Sequence, residues 1–252
     1  MLRAIVRPPG ASLAQALSAQ VPRPVIDVGL ARRQHAEYCA ALRTAGVTPI
    51  ELPPDEDLPD ACFVQDTAVV FGTLAILARF GVDSREGEQS AVRQVLQKHR
   101  RVVEIHAPGS LEGGDVLVIG SRVFVGLSAR TNRAGFAQLR DLLELEGAAV
   151  EALDVPESLH LLSDCTYLGQ AVLLATATWA GHPAFAGLDV VRVPPGESYA
   201  ANALGANGYV LLPAGYPQTA AQIRAREFEV LPVPLTEFAK ADGGATCLSL
   251  LL

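Results

Sequence analysis

A Gly-Ser pair separates two short apolar segments in Asp115-Val116-Leu117-Val118-Ile119-Gly120-Ser121-Arg122-Val123-Phe124-Val125-Gly126. Branched and aromatic segments joined by turn residues predict a β-hairpin. A polar segment with helical character, residues 129–146, and another apolar segment, residues 149–153, follow the hairpin. This region therefore predicts a unit of two hairpin strands, a helix and a third strand.

The same order of elements recurs along the chain. Further hairpins are predicted in residues 63–79, 161–175 and 201–212. Asp66, Asp115 and Asp164 fall at matching points, 49 residues apart each time, and Asn202 follows 38 residues later. Internal repeats of about this length indicate blades or stacked units, because one such unit cannot bury its apolar face alone. The sequence thus predicts repeated units that share one core.

A fifth unit requires the two ends of the chain to meet. Residues 247–252 and residues 4–6 are both apolar and would pair to close the ring. A chain of 252 residues can bury a full core, and no Pro/Ser/Gly-rich stretch is long enough to separate two domains. We therefore expect residues 1–252 to form a single domain.

The amino-acid composition and net charge argue against nucleic acid and membranes as partners. The chain is 50% hydrophobic and 19% charged, which is typical of a globular protein, and its net charge is −7. No basic run stands out, so nucleic acid is not expected as a partner. The longest apolar stretch, residues 68–78, is interrupted by Gly72 and Thr73 and is too short to cross a membrane. No membrane partner is expected either.

The cysteines indicate the compartment. Cys39, Cys62, Cys165 and Cys247 are widely spaced, without a Cys-x-x-Cys pair. This spacing argues against a secreted disulfide framework and against a structural zinc site. The apolar stretch near the N-terminus is too short for the core of a signal peptide. The sequence predicts a cytoplasmic protein with reduced thiols.

Cys247 is the candidate nucleophile. It follows Gly243-Gly244-Ala245-Thr246 just before the last apolar segment, and glycines let the backbone approach a ligand closely. A buried structural cysteine is the alternative interpretation, since free cysteine behaves as a small hydrophobe. The residues that accompany the thiol decide between the two.

Polar residues within apolar segments supply those companions. Glu112-Gly113-Gly114-Asp115 precedes a strand, Asp60 and Asp66 bracket another apolar segment, and His160 lies between leucines. Taken singly, the Glu112 motif fits an acidic surface turn, Asp60 and Asp66 fit a solvated strand edge, and His160 fits a hydrogen-bonded core histidine. Together with Cys247 they provide a nucleophile, a proton carrier and several carboxylates. Several carboxylates around one thiol indicate a cationic substrate, and a guanidinium is the planar cation that pairs with them bidentately.

The chain resembles the dimethylarginine dimethylaminohydrolase family of the guanidine-modifying superfamily. The resemblance covers nearly the whole chain and rests on segments in the same order, chiefly residues 58–66, 111–115, 126–132, 159–161, 197–202 and 242–247. It implies a five-bladed α/β propeller of ββαβ-type units, the pentein fold. It also implies hydrolysis of Nω-methylated arginine to citrulline through a covalent cysteine thiouronium, without a metal or an organic cofactor.

The family's roles map onto residues of this chain. Cys247 would be the nucleophile, His160 the general acid and base, and Glu112 the residue that orients His160 and holds the substrate. Two arginines, Arg85 and Arg130, would bind the α-carboxylate of a guanidino amino acid.

The other expected substrate contacts involve carboxylates and backbone carbonyls. Asp60 would bind the α-amino group with the backbone carbonyls of Leu17 and Ala241. Asp66 would bind the guanidinium nitrogens. The family commonly has Glu-Asp where this chain has Gln65-Asp66, so the exact guanidino substrate depends on which way Gln65 faces. The sequence leaves a homodimer open.

Three other functions compete with this interpretation. Arginine deiminases and amidinotransferases are typically longer, and residues 80–98 leave room for one helix only. A propeller that only binds would have no reason to keep Cys247, His160 and Glu112 together with the two arginines. An inactive enzyme is the third alternative, for which Gln65 is the one hint.

Overall fold

The computed structural model describes residues 2–155 and 157–252. Helices α1 to α6 span Val28–Thr44, Gln89–Leu96, Arg133–Glu144, Leu161–Asp164, Pro217–Arg224 and Thr236–Ala239. Strands β1 to β15 span Arg3–Val6, Thr48–Glu51, Ala68–Phe71, Leu74–Leu77, Arg101–Glu104, Val116–Ile119, Arg122–Leu127, Ala149–Asp154, Cys165–Gly169, Val172–Ala175, Asp189–Arg192, Leu204–Ala206, Tyr209–Pro213, Glu229–Val233 and Leu250–Leu251. The strands form the three-stranded sheets β15-β1-β2, β3-β4-β5, β6-β7-β8, β9-β10-β11 and β12-β13-β14.

Each sheet has the same internal arrangement. Its middle strand runs antiparallel to the first strand and parallel to the third, as in the pairing of β7 with β6 and β8. A parallel pair needs a crossover, and in the β6-β7-β8 sheet α3 provides it. Five ββαβ-type units thus confirm the repeat predicted from the sequence.

The chain ends close the ring as expected. Strand β1 pairs antiparallel with β15, with Ala4 opposite Leu251, and parallel with β2, with Ile5 opposite Ile50. The fifth unit therefore takes its first strand from the C-terminus and its remaining strands from the N-terminus. The segment that carries Cys247 is held to the rest of the molecule by this pairing.

Four predicted strands begin later than the sequence suggests. Helix α4 occupies residues 161–164 before β9, and β12 begins only at Leu204. The other two differences lie at the candidate site. Residues 64–67 form a 3₁₀ turn rather than the start of β3, because Thr67 Oγ1 donates to the Val64 carbonyl at 2.6 Å. The last strand begins only at Leu250, three residues after Cys247. Both differences place the candidate functional residues in turns before the first strand of a sheet, where side chains can converge on one site.

Two predicted helices are also shorter. The one helix expected within residues 80–98 is α2, which begins only at Gln89 and is preceded by a 3₁₀ turn, Asp83–Arg85. The helix expected over 129–146 begins at Arg133, because the Asn132 side chain caps it by accepting a hydrogen bond from the Gly135 amide. Both changes leave an arginine outside regular helix.

Apolar residues fill the spaces between the sheets and helices. Helix α1 buries Tyr38 and Leu42 against Leu211, Val233 and Phe238, and this cluster extends to Cys247. The Tyr38 hydroxyl donates to the Ala245 carbonyl at 2.8 Å and lies 2.7 Å from the Ser249 hydroxyl. No helix in the described ranges is both long and apolar enough to cross a membrane.

Tyr38→Phe is expected to lower the free energy of unfolding by about 1–3 kcal/mol, because it strands two buried polar groups beside the Cys247 segment. Urea unfolding followed by circular dichroism measures the loss. Tyr209→Phe, at a half-buried position of β13, is the matched control and should stay within about 0.5 kcal/mol of the wild type. Equal stability of Tyr38→Phe and wild type would contradict the expectation.

Candidate active site

One cavity of about 230 Å³ gathers most of the predicted residues. The predicted residues that line it are Leu17, Asp60, Asp66, Arg85, Arg130, His160, Ala241 and Cys247. They come from turns and loops of different units, far apart in the sequence. A wider groove of about 360 Å³ beside β4 and α2 contains none of the predicted residues.

Cys247 lies almost buried in the wall of this cavity, 8% exposed. Its sulfur accepts a hydrogen bond from the Gly244 amide at 3.4 Å and lies 3.9 Å from Asn202 Nδ2. Burial and the nearby Asp66 carboxylate raise the pKa of the thiol to about 11, although these hydrogen bonds oppose the shift. The resting sulfur is therefore a neutral thiol near pH 7, and a cation beside it would favour the thiolate.

His160 forms a buried pair with Glu112. Its Nε2 lies 2.9 Å from Glu112 Oε2, and its Nδ1 lies 3.8 Å from Asp66 Oδ1. Burial alone would lower the pKa of His160, but Asp66 and the hydrogen bond to Glu112 raise it overall. Burial likewise opposes ionisation of Glu112, yet His160 and Arg85 bring the pKa of this carboxyl down to about 2. These contacts favour the protonated form of His160, which can give up a proton.

The two glycines after Glu112 leave space for the side chains of His160 and Asp66 to lie close together. A Cβ on Gly114 would lie 2.5 Å from His160 Nδ1 and 2.7 Å from Asp66 Oδ1, so any other residue would push these groups apart. A Cβ on Gly113 would overlap with the Gln65 carbonyl oxygen. The Gly114 amide also donates to Asp66 Oδ1 at 3.1 Å. Here glycine is required by space and not by backbone conformation.

Asp115, the last residue of the same motif, fixes the backbone next to His160. It is fully buried, accepts a hydrogen bond from the Leu161 amide at 3.1 Å and another from the Ser128 hydroxyl at 2.6 Å. Burial raises the pKa of Asp115 despite the nearby His160. Asp115 therefore contributes to the site by holding the chain at His160 and does not line the cavity.

The two arginines have different surroundings. All five N–H donors of Arg85 face protein acceptors: three are directed at Glu88 and the Phe63 carbonyl, and two at Asp66 and Glu112. Arg130 donates from Nη1 to Glu112 Oε1 at 3.2 Å, and its side chain is 15% exposed. Arg130 is therefore the more accessible of the two cations to a ligand in the cavity.

The loop that contains Leu17, Ser18 and Ala19 (the covering loop) forms one side of the cavity, and its backbone amides bond to Asp60 and Asp242. The Leu17 amide donates to both carboxylate oxygens of Asp60, at 3.1 and 3.3 Å, and the Ala19 amide donates to Asp242 Oδ2 at 2.6 Å. Burial raises the pKa of Asp60, although Arg85 acts against this. The carboxylate expected to bind an α-amino group thus holds the covering loop in this structure.

Gln65 and Glu112 are predicted binding residues that do not line the cavity. The Gln65 side chain donates from Nε2 to the Gly113 carbonyl at 2.7 Å and faces a separate depression of about 170 Å³. Glu112 is fully buried behind His160. The structure therefore places the Gln-for-Glu difference away from the candidate substrate pocket.

Sequence reasoning assigned no role to three further residues. Glu88 is buried against Arg85, and burial raises the pKa of its carboxyl to about 7 even though Arg85 opposes the shift. The position of Glu88 three residues after Arg85 could have predicted this ion pair from the sequence. Asp242 holds the covering loop, and Asn202 contacts the Cys247 sulfur. Both lie in segments on which the family resemblance rests, residues 197–202 and 242–247, but the resemblance implied no role for either residue.

A group that could coordinate a metal is present within the described residues. Ligand atoms of Asp66, Glu112 and His160 all lie within 4.8 Å of one another. Arg85 Nη1 contacts both carboxylates, at 2.8 and 3.3 Å. The Arg85 guanidinium neutralises part of the negative charge that would otherwise attract a metal cation. We therefore assign no metal to this cluster.

Comparison with known proteins establishes the family. A family model described as N,N dimethylarginine dimethylhydrolase, eukaryotic, matches residues 25–177. The N(G),N(G)-dimethylarginine dimethylaminohydrolase of Pseudomonas aeruginosa is 37% identical over 249 residues, which cover 98% of this chain and 97% of the relative. The chain belongs to the dimethylarginine dimethylaminohydrolase family.

Solved structures of the family match over the whole fold. A cysteine-to-serine mutant of DDAH from Pseudomonas aeruginosa, complexed with citrulline, is 35% identical with a TM-score of 0.96, covering 99% of this chain and 98% of the other. A dimethylarginine dimethylaminohydrolase with a histidine-to-glycine substitution, in an adduct with S-methyl-L-thiocitrulline, is 35% identical with a TM-score of 0.96, covering 99% of each chain. These matches confirm the five-bladed α/β propeller expected from the sequence.

Glu112→Gln is expected to lower the pKa of His160 by about one unit or more, since it removes a negative charge and weakens a hydrogen bond in a buried site. The raised pKa of His160 stabilises the fold below pH 6.5, and this contribution is lost as the pH rises through the folded-state value, so it should shrink in the variant. NMR titration of the imidazole carbons, assigned with His160→Gln, measures the shift. Glu88→Gln, a buried carboxylate of the same network without an imidazole contact, is the control, and equal shifts in both variants would refute this account.

Proposed function

We propose that this protein hydrolyses Nω-methylated L-arginine to L-citrulline and an alkylamine. The observation that carries the proposal is that one cavity presents the Cys247 thiol, the His160 imidazolium and the Asp66 carboxylate together. Membership of the dimethylarginine dimethylaminohydrolase family supports the same reaction. The matching structures with citrulline and with a thiocitrulline adduct indicate the kind of ligand that this fold accommodates.

Substrate binding activates the nucleophile in this proposal. The guanidinium pairs with Asp66, which removes part of the negative field that raises the pKa of Cys247. The charge of the guanidinium stabilises the thiolate, and the thiol proton passes to solvent. The sulfur then attacks the guanidinium carbon to give a tetrahedral adduct. His160 donates its proton to the methylated nitrogen, the carbon–nitrogen bond breaks, and the neutral alkylamine leaves a thiouronium on Cys247.

Water completes the reaction. Neutral His160 takes a proton from a water molecule, whose oxygen attacks the thiouronium carbon. The carbon–sulfur bond then breaks and returns its electron pair to Cys247. The hydroxyl proton of the adduct is lost, which releases citrulline, and the sulfur takes up a proton to restore the resting thiol. The sum is one dimethylarginine and one water converted to citrulline and dimethylamine. Glu112 supports both steps by keeping the imidazole oriented and able to hold a proton.

The amino-acid end of the substrate is expected to meet Arg130 and Asp60. Arg130 is accessible from the cavity and has donors left for a carboxylate, whereas the donors of Arg85 are taken by protein groups. Arg85 instead neutralises Asp66, Glu88 and Glu112. Asp60 would exchange the Leu17 amide for the α-amino group or bind both, with the carbonyls of Leu17 and Ala241 nearby.

Residues 1–252 act as a single catalytic domain in this proposal. Turnover of free arginine, as in an arginine deiminase, is the alternative substrate preference. Gln65 does not favour it, because its side chain lies outside the cavity. The cytoplasmic location and a homodimer stay predictions.

The wild type is expected to form citrulline from asymmetric dimethylarginine and monomethylarginine, and little from arginine. Cys247→Ser should lose at least about 10³-fold in kcat, because an alkoxide is far harder to form than a thiolate at neutral pH. A colorimetric citrulline assay with all three substrates measures both. Cys165→Ala, at a buried cysteine of β9 outside the cavity, is the control and should keep activity. Preference for arginine would overturn the substrate assignment, and an active Cys247→Ser the mechanism.

Arg130→Gln is expected to raise KM for monomethylarginine about 10–100-fold, the loss expected for hydrogen bonds to a charged partner. The same substitution should hardly affect a methylated guanidine that lacks the α-carboxylate, so the ratio of kcat/KM for the two substrates should fall. Steady-state kinetics on both compounds checks this. Arg133→Gln, at an 82% exposed arginine nearby, is the control. Equal losses on both compounds would show that Arg130 acts only through Glu112.

A further inference from the structure

Asn202 connects the fourth unit to the nucleophile segment. It is 5% exposed and follows the 3₁₀ turn Ser198–Ala201. Its Oδ1 accepts hydrogen bonds from the Thr246 amide at 2.8 Å and from Thr246 Oγ1 at 3.0 Å. Its Nδ2 lies 3.9 Å from the Cys247 sulfur. One side chain thus contacts both the nucleophile and the residue before it.

The orientation of the Asn202 amide follows from its partners. A backbone N–H can only donate, so the atom that faces the Thr246 amide must be the carbonyl oxygen. The NH₂ group is then directed at the sulfur, where it can only donate. The arrangement therefore offers the sulfur a donor from Asn202 as well as the Gly244 amide.

The surrounding residues are shaped around this contact. A Cβ on Gly244 would overlap with the Asn202 side chain, so the glycine is needed for Asn202 to lie against the nucleophile segment. Tyr199, in the same 3₁₀ turn, donates its hydroxyl to the Gly243 carbonyl at 2.6 Å. The turn therefore holds the segment at two points, but only Asn202 reaches the sulfur.

We propose that Asn202 is a positioning residue of the nucleophile: its oxygen fixes Thr246, and its NH₂ group donates to the Cys247 sulfur as the thiolate forms. A thiolate attracts donors more strongly than a thiol, so the long contact shortens as charge develops. Asn202 thereby lowers the cost of ionising a buried thiol that faces carboxylates. The inference rests on Cys247 being the nucleophile of the proposed function.

Other ionisable groups also face the sulfur. Asp60, Asp66, Arg85, Arg130, His160 and Asp242 line its cavity, and Tyr38 and Tyr199 lie close to it from the protein side. A substitution at Asn202 leaves all of these groups in place. A change in the ionisation of Cys247 between wild type and an Asn202 variant therefore measures the effect of the amide.

The test is the rate of Cys247 alkylation by iodoacetamide between pH 7 and 10, without substrate, followed by mass spectrometry of the Cys247 peptide. Below the pKa of the thiol this rate is proportional to the thiolate fraction. Asn202→Ala is expected to react about tenfold more slowly than wild type at each pH, equivalent to a rise of about one unit in the pKa of Cys247. Tyr199→Phe, which loosens the same segment without removing a donor to sulfur, should overlay the wild type.

A rate for Asn202→Ala equal to that of wild type would overturn the inference, as would an equal slowing in Tyr199→Phe. If Asn202→Ala does not fold, Asn202→Asp decides, because it keeps the acceptor for Thr246 and replaces the donor. It must react more slowly than wild type. Alkylation needs no turnover, so a wild type that follows this pattern but forms no citrulline would refute the proposed function and leave the role of Asn202 standing.

Discussion

The Arg85 guanidinium is the interaction on which the rest of the site depends. It lies buried among Asp66, Glu88 and Glu112, and each of these carboxylates would be costly to bury without a cation. The pairing of Glu112 with His160 depends on it in turn, because Glu112 stays ionised in the interior only with positive partners. Removal of this one cation would take a positive partner from all three buried carboxylates at once.

The propeller brings these charges together from separate units. The first strands are short, and the turns before β3 and β6 place Asp66 in the cavity and Asp115 beside His160, whereas Asp164 contacts Ser158 and Trp179 away from the cavity. Asp66 and Asp115 show the division of labour: one carboxylate lines the cavity, and the other holds the backbone at His160. Equivalent positions of a repeat thus serve either chemistry or support, depending on what packs in front of them.

The sequence predicted the units, the closure of the ring and most of the cavity-lining residues, because those follow from hairpin patterns and from motifs that are local in the chain. It did not predict the 3₁₀ turn at residues 64–67 or the late start of β15, since the apolar character of these segments resembles that of a strand. Nor could it show that Gln65 faces Gly113 or that all donors of Arg85 are occupied. Such orientations are decided by contacts between units, which no single segment encodes.

The protonation state of Cys247 follows from its surroundings in the same way. Burial and the neighbouring Asp66 carboxylate both oppose ionisation of the sulfur, so Cys247 stays protonated near pH 7. A guanidinium compensates the carboxylates and stabilises the thiolate in one binding event. A neutral or anionic molecule of similar size would neither compensate the carboxylates nor stabilise the thiolate. It would therefore bind beside a protonated thiol. In the proposed reaction, selectivity for cationic substrates therefore arises in the activation of the sulfur as well as in binding.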